Sequence, residues 1–170
     1  MSKRDLKKYL DTLTKTQMQE QILDLYTRFK EVKVFYDFAF NPKEDKILEE
    51  AKIKITKEYN LYVRKAKARR SVAHKLIKHF KKIEVQPDII ADLMLFNIEI
   101  AQVYSAEKRI RQDSFYVSML NSFREAVAYA KEYSLDPHFR TRLERIADET
   151  YEQNWFNHVA FENELQKFIS

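Results

Sequence analysis

Residues 64–82, RKAKARRSVAHKLIKHFKK, hold nine Lys or Arg and two His with no carboxylate. Cations at that density most simply make a solvated face, and among the sharper uses one stands first. They displace condensed counterions from a phosphate backbone and so give sequence-independent affinity for DNA or RNA. The candidate polyanion contacts are Arg64, Lys65, Lys67, Arg69, Arg70, Lys75, Lys78 and Lys82. Two other uses compete. The cations could be neutralised by the chain's own acids, because residues 131–170 carry eight Asp or Glu against five Lys or Arg. They could also meet an anionic membrane surface, as basic amphipathic helices do, although the apolar side of this segment is needed for the fold.

Catalytic patterns are poor by comparison. The four His, at 74, 79, 138 and 158, include no pair spaced by four, and no paired Glu-x-x-His motif exists. His74 and His79 fall on the cationic side, where like charge opposes a divalent metal. Asp148, Glu149 and Glu152 lie close in sequence to Trp155 and His158, a set able to hold a cation or a base, but they read more simply as helix-surface charges. With zero Cys there is no thiolate nucleophile or disulfide framework, which agrees with a cytoplasmic location. With zero Gly there is no phosphate loop and no dinucleotide fingerprint. No catalytic residue, metal, cofactor or small-molecule substrate is therefore expected.

The absence of Gly also bears on architecture. Average usage would place about twelve in a chain of 170. Gly supplies hairpin tips and left-handed turns, so an all-helical chain loses least without it. Apolar residues recur at three and four throughout, predicting helices over 3–12, from 15 into the thirties, from Pro42 to about Tyr59, and over 71–83, 87–104, 107–133, 137–152 and 155–168. Ser2 with Asp5 and Thr14 with Gln17 are capping pairs. Asn41–Pro42 and Asp136–Pro137 carry a cap followed by proline, Pro87 opens another helix, and Asn154 is a further cap. The prolines fall near the spacing of two-helix repeats, but a plain bundle or irregular array is favoured. Over 71–83 the wheel divides cleanly. Val72, Ala73, Leu76, Ile77, Phe80 and Ile83 take one side, and His74, Lys75, Lys78, His79, Lys81 and Lys82 the other. That phase fails when extended back to Lys65, Arg69 and Arg70, so a basic connection is expected near 60–70.

The short link between 71–83 and 87–104 has helix-turn-helix spacing. The second helix contains no Lys or Arg, however, and carries Asp88, Asp92 and Glu99, which would repel phosphate. Its apolar residues cover almost every direction of the wheel, as in a buried central helix. The aromatic run FYDFAF (35–40) is expected to fill gaps where the second helix meets the third. The longest charge-free stretch, SFYVSMLNSF, is too short to span a bilayer, and the basic start MSKRDLKKYL is followed by no apolar segment of the secretory kind.

FYDFAFNPKEDKILEEAKIKI, KARRSVAHKLIKHF and ADLMLFNIEIA resemble a bacterial family catalogued as a domain of unknown function, over nearly the whole chain. The resemblance implies an all-helical, single-domain, stand-alone cytoplasmic protein and brings no catalytic residue with it. The expectation is one all-α domain over 1–170, with about eight helices in an antiparallel bundle or short irregular helical-hairpin array. Its expected activity is that of a non-enzymatic binding module meeting a polyanion, DNA or RNA backbone above all. The alternative is a protein-interaction scaffold or self-associating protein whose basic segment meets an acidic surface.

Overall fold

The computed structural model describes residues 2–60, 62, 68–135 and 139–169. Among them are nine helices and no strand. They fall into two compact units, Met1–Lys43 and Glu44–Ser170. The sequence reading drew no boundary there.

The first unit contains α1 (Lys3–Leu10), α2 (Lys15–Arg28) and α3 (Lys30–Phe40). Both capping boxes form. The Ser2 hydroxyl accepts from Asp5 N–H while the Asp5 carboxylate accepts from Ser2 N–H, and Thr14 and Gln17 repeat the exchange. The helix expected from 15 into the thirties breaks at Phe29, whose extended backbone (φ −115°, ψ 115°) closes α2 and opens α3. No Pro, Gly or capping side chain announces that break. α3 packs on α2, with the Tyr26 hydroxyl donating to Asp37 at 2.6 Å. None of the three helices has a fully buried residue, and Phe40 is 84% exposed, so the FYDFAF run does not fill a core as expected.

The second unit contains α4 (Glu44–Glu58), α5 (Arg70–Lys82), α6 (Pro87–Glu107), α7 (Asp113–Glu132), α8 (Arg140–Glu152) and α9 (His158–Ile169). Pro42 does not open α4. Asn41 instead closes α3 by donating its N–H to the carbonyls of Asp37 and Phe38, and α4 starts two residues beyond the proline. Pro87 does occupy the first turn of α6, where its missing N–H costs no helical hydrogen bond. Asp136, Pro137 and His138 lie outside the described residues.

α6 organises this unit by packing against α4, α5, α7 and α8, while α9 covers α7 and α8. Ile90, Leu93, Met94, Leu95, Ile98 and Ala101 are buried on it, and Phe123, Leu143, Ile146 and Phe161 meet them from the other helices or close the same core. α6 also has the length and mean hydropathy (1.3) to cross a membrane, but 56% of that window is buried inside the protein, as expected of a central core helix. Two of the three acids on it that looked hostile to phosphate are structural: Asp92 meets Lys52 of α4 and Arg142 of α8, and Glu99 meets Arg142.

A chain without Gly must still end its helices. After α5, α7 and α8 the chain takes a left-handed residue, at Glu84 (φ 58°), Ser134 (φ 54°) and Asn154 (φ 54°). In each case the next residue's N–H returns to the helix: Val85 to Phe80, Leu135 to Ala130, Trp155 to Thr150. These are Schellman endings with an ordinary residue where Gly is usual. Asn154 therefore terminates α8 and does not cap α9. Replacing Glu84 by Gly relieves the left-handed strain and is expected to raise stability by about 1 kcal/mol, measured by urea unfolding. An equal loss would show that Glu84 makes a stabilising contact outweighing its backbone strain.

Candidate anion-binding cleft

α5 carries the amphipathic division that its sequence implies. Ala73, Phe80 and the following Ile83 are buried and Val72, Leu76 and Ile77 are partly so, whereas Lys75, Lys78, His79, Lys81 and Lys82 are exposed. Two members of the cationic side are engaged within the unit. The Lys81 ammonium lies 4.5 Å from the Tyr129 ring centroid, and His74 is partly buried with its Nε2 3.5 Å from the Ser122 hydroxyl. Lys75, Lys78 and Lys82 form no ion pair among the described residues. At spacings of three and four they share one face of α5, on the same stripe as Ser71.

Ser71 lines a cleft of about 680 Å³ at the start of that stripe. Arg69, Arg70, Arg109 and Arg111 line it, and among the described residues no acidic residue does. Tyr104 from the end of α6 and Phe115 from the first turn of α7 supply the apolar part. Arg69 is partly neutralised, since its Nε and Nη2 donate to the two oxygens of Glu58 at 2.9 and 2.8 Å, and that carboxylate raises the guanidinium above its ordinary value. Arg70, Arg109 and Arg111 make no ion pair among the described residues. Behind the cleft wall, Tyr59 is buried edge-on to Tyr104, with ring centroids 5.7 Å apart. Burial pushes its phenol up to about 12, opposed by the nearby charge of Arg70.

Arg69, Arg70, Lys75, Lys78 and Lys82, all expected from sequence, thus lie on one segment, with the first two in the cleft and the other three along the helix leading from it. Arg64, Lys65 and Lys67 lie outside the described residues. Arg109 and Arg111 were not expected. The predicted helix over 107–133 in fact begins at Asp113, and the freed connection 108–112 carries both arginines into the cleft. The stretch EKRIRQ, with three cations in four residues, was the available signal.

Among the described residues, Glu149, Glu152 and His158 do not line one common pocket. Glu149 lines a separate groove with Glu99, Glu107 and Arg145 and bonds Gln153 at 2.7 Å. His158 keeps its Nδ1 2.9 Å from the Trp155 carbonyl oxygen, and Glu152 is exposed. The described His, Asp and Glu form no group of three or more placed to hold a metal ion.

The Tyr59 hydroxyl has no hydrogen-bond partner among the described residues. Tyr59→Phe is accordingly expected to keep or gain up to about 1 kcal/mol at pH 7. Its effect on alkaline stability follows from the raised phenol. A folded-state value of about 12, above the unfolded value of 10.0, means that Tyr59 contributes stability in full below pH 10 and loses it as pH rises toward 12. Urea melts at pH 7 and at about pH 11 are expected to show a smaller alkaline loss in the variant.

The fold and cleft define an all-helical protein with a four-arginine cleft at the head of a lysine-bearing helix. The chain belongs to a family of unknown function (DUF6155), whose model matches residues 1–169. No curated protein and no solved structure is significantly similar to it.

Proposed function

We propose that this protein is a non-enzymatic, cytoplasmic binding module that holds the phosphate backbone of DNA or RNA without regard to sequence. The supporting observation is the lysine stripe of α5: Lys75, Lys78 and Lys82 are exposed and outside any ion pair among the described residues, and they continue from the arginine cleft. From Ser71 to Lys82 the helix rises about 16 Å, long enough to follow several phosphates. The net charge of +5 adds long-range attraction. The test is retardation of an arbitrary oligonucleotide at low salt. About five contacts give a plot of log affinity against log salt with a slope of about −4 to −5. An oligonucleotide that is not retarded at low salt overturns the reading.

A second reading, a protein-interaction scaffold or self-associating protein, is favoured by the first unit. There Leu23, Phe29 and Phe40 are 64%, 51% and 84% exposed. It predicts a mass that grows with concentration in sedimentation, and a strict monomer that retains no acidic protein counts against it.

A further inference from the structure

We propose that the cleft lined by Arg69, Arg70, Arg109 and Arg111 is a binding site for a phosphomonoester, a dianionic terminal phosphate, distinct in chemistry from the diester track along α5. The inference does not depend on that track.

The distribution of guanidiniums within the second unit carries it. Elsewhere in this unit each described arginine has a carboxylate partner, down to Arg145 at 3.7 Å from Glu99. Arg142 meets Glu99 through two nitrogens and Asp92 through the third, and Arg124 and Arg140 each hold a glutamate. The cleft does the reverse. Four arginines line one concavity, with no lining carboxylate among the described residues, and of the four only Arg69 has an ion pair there, with Glu58. Arg69 still directs its Nη1 elsewhere, since Nε and Nη2 are the nitrogens given to Glu58. Crowding cations this way is unfavourable unless an anion sits among them.

The backbone adds to this charge. α5 begins at Arg70 and α7 at Asp113, and neither N-cap residue, Arg69 or Gln112, makes a side-chain cap bond. In each first turn the third N–H is taken, Val72 by the Arg69 carbonyl and Phe115 by the Gln112 carbonyl, while those of Arg70, Ser71, Asp113 and Ser114 have no bond among the described residues; Arg69, Arg70, Ser71 and Gln112 at those ends line the cleft. Asp113, the acid in the first turn of α7, is not among the lining residues.

The chemistry selects a monoester over a diester. A terminal phosphate brings three acceptor oxygens and a charge near −2, enough to engage several guanidinium forks at once, whereas a diester offers two oxygens and a single charge. The cleft volume suits a mononucleotide-sized ligand, and the Tyr104 ring gives it one apolar wall. A free nucleotide and the 5′-phosphorylated end of a strand share this chemistry.

The experiment compares AMP with adenosine by titration calorimetry, and a 5′-phosphorylated with a 5′-hydroxyl oligonucleotide of one sequence by retardation. Each is run on the wild type and on the Arg109→Ala/Arg111→Ala variant. Both arginines are exposed on the connection before α7, and an unchanged thermal melt verifies the variant's fold. AMP is expected to bind and adenosine not, with the variant losing about 10–100-fold in AMP affinity. A preference of about tenfold for the phosphorylated strand assigns the site to strand ends. AMP binding without that preference assigns it to free nucleotides. If AMP binds no better than adenosine, or the variant binds AMP like the wild type, the proposal is overturned. Oligonucleotide retardation with its steep salt slope would then still support the backbone reading, and AMP binding without any retardation would defeat the backbone reading alone.

Discussion

Replacing Lys75, Lys78 and Lys82 together by Ala is expected to lower oligonucleotide affinity by about a thousandfold at 50 mM salt, and to reduce the salt slope from about −4.5 to about −2. Each phosphate contact contributes about 0.9 to the slope, so three lost contacts remove about 2.7. The same coefficient at 50 mM salt makes each contact worth about tenfold in affinity, because ion release is most favourable where bulk salt is scarce. The fold has no stake in these charges. All three side chains are exposed, none is ion-paired among the described residues, and the buried side of α5 lies at Ala73 and Phe80. Removing like charges spaced by three and four, in favour of the best helix former, is expected to leave the melting temperature unchanged or slightly raised. Loss of binding with an intact melt assigns the effect to contact, and a variant that binds like the wild type removes α5 from the interface.

What the sequence revealed of this site followed from local periodicity. A helix that packs on one side must repeat its apolar residues near every 3.6 positions, so Val72, Ala73, Leu76, Ile77 and Phe80 fixed the inward side of α5 and left the lysines outward. Arg109 and Arg111 escaped because nothing local stops the helix there. Lys108 closes α6 and Gln112 opens α7, both with extended backbone (φ −123° and −97°), but neither is a residue type that favours a cap. Phe29 escaped in the same way. Helix ends at Glu84 and Ser134 were silent for a different reason: the usual marker of a left-handed end is Gly, and this chain has none. Asn154 carried an ambiguous signal, since Asn serves both to start helices and to end them, and the N–H of Trp155 returning to Thr150 decides for the end. Pairings between distant helices are the least visible of all. The partners of Arg142 stand 43 and 50 residues away, and helical phase says which way a charge faces but not what it meets.

That distant pairing makes Arg142 the position where one side chain most affects the fold. Its Nε and Nη2 donate to the two Glu99 oxygens at 2.9 and 2.8 Å, and its Nη1 donates to Asp92 at 2.5 Å. Asp92 and Glu99 are two turns apart on α6, so one guanidinium from α8 bridges both, while Lys52 of α4 holds the other Asp92 oxygen at 2.6 Å. Three helices meet at this cluster. Burial alone would raise the Asp92 carboxyl, but the hydrogen bonds from Lys52 and Arg142 outweigh it and hold it below its ordinary value. Asp92 therefore contributes stability that is present above about pH 4 and lost as pH falls through the lowered value. Arg142→Ala leaves two partly buried carboxylates with Lys52 on Asp92 and the longer, exposed Arg145 contact (3.7 Å) on Glu99 as their remaining cations. The expected loss is about 2 kcal/mol, less than for a fully buried pair because each side chain keeps 23–26% of its exposure. In a unit of this size that corresponds to roughly 8 °C in melting temperature. Arg142→Lys is expected to fall between the two, since one ammonium cannot fork to both acids. The combined replacement of Arg142 by Met, Asp92 by Asn and Glu99 by Gln removes both carboxylates that Arg142→Ala strands, at the cost of leaving Lys52 and Arg145, 25% and 70% exposed, without their acids. It is expected to recover most of the loss, because the damage lies in stranded carboxylates more than in the missing attraction. If the triple variant melts as low as Arg142→Ala, the contribution of Arg142 is instead the packing of its stem against Phe139, whose ring centroid lies 6.0 Å from the guanidinium.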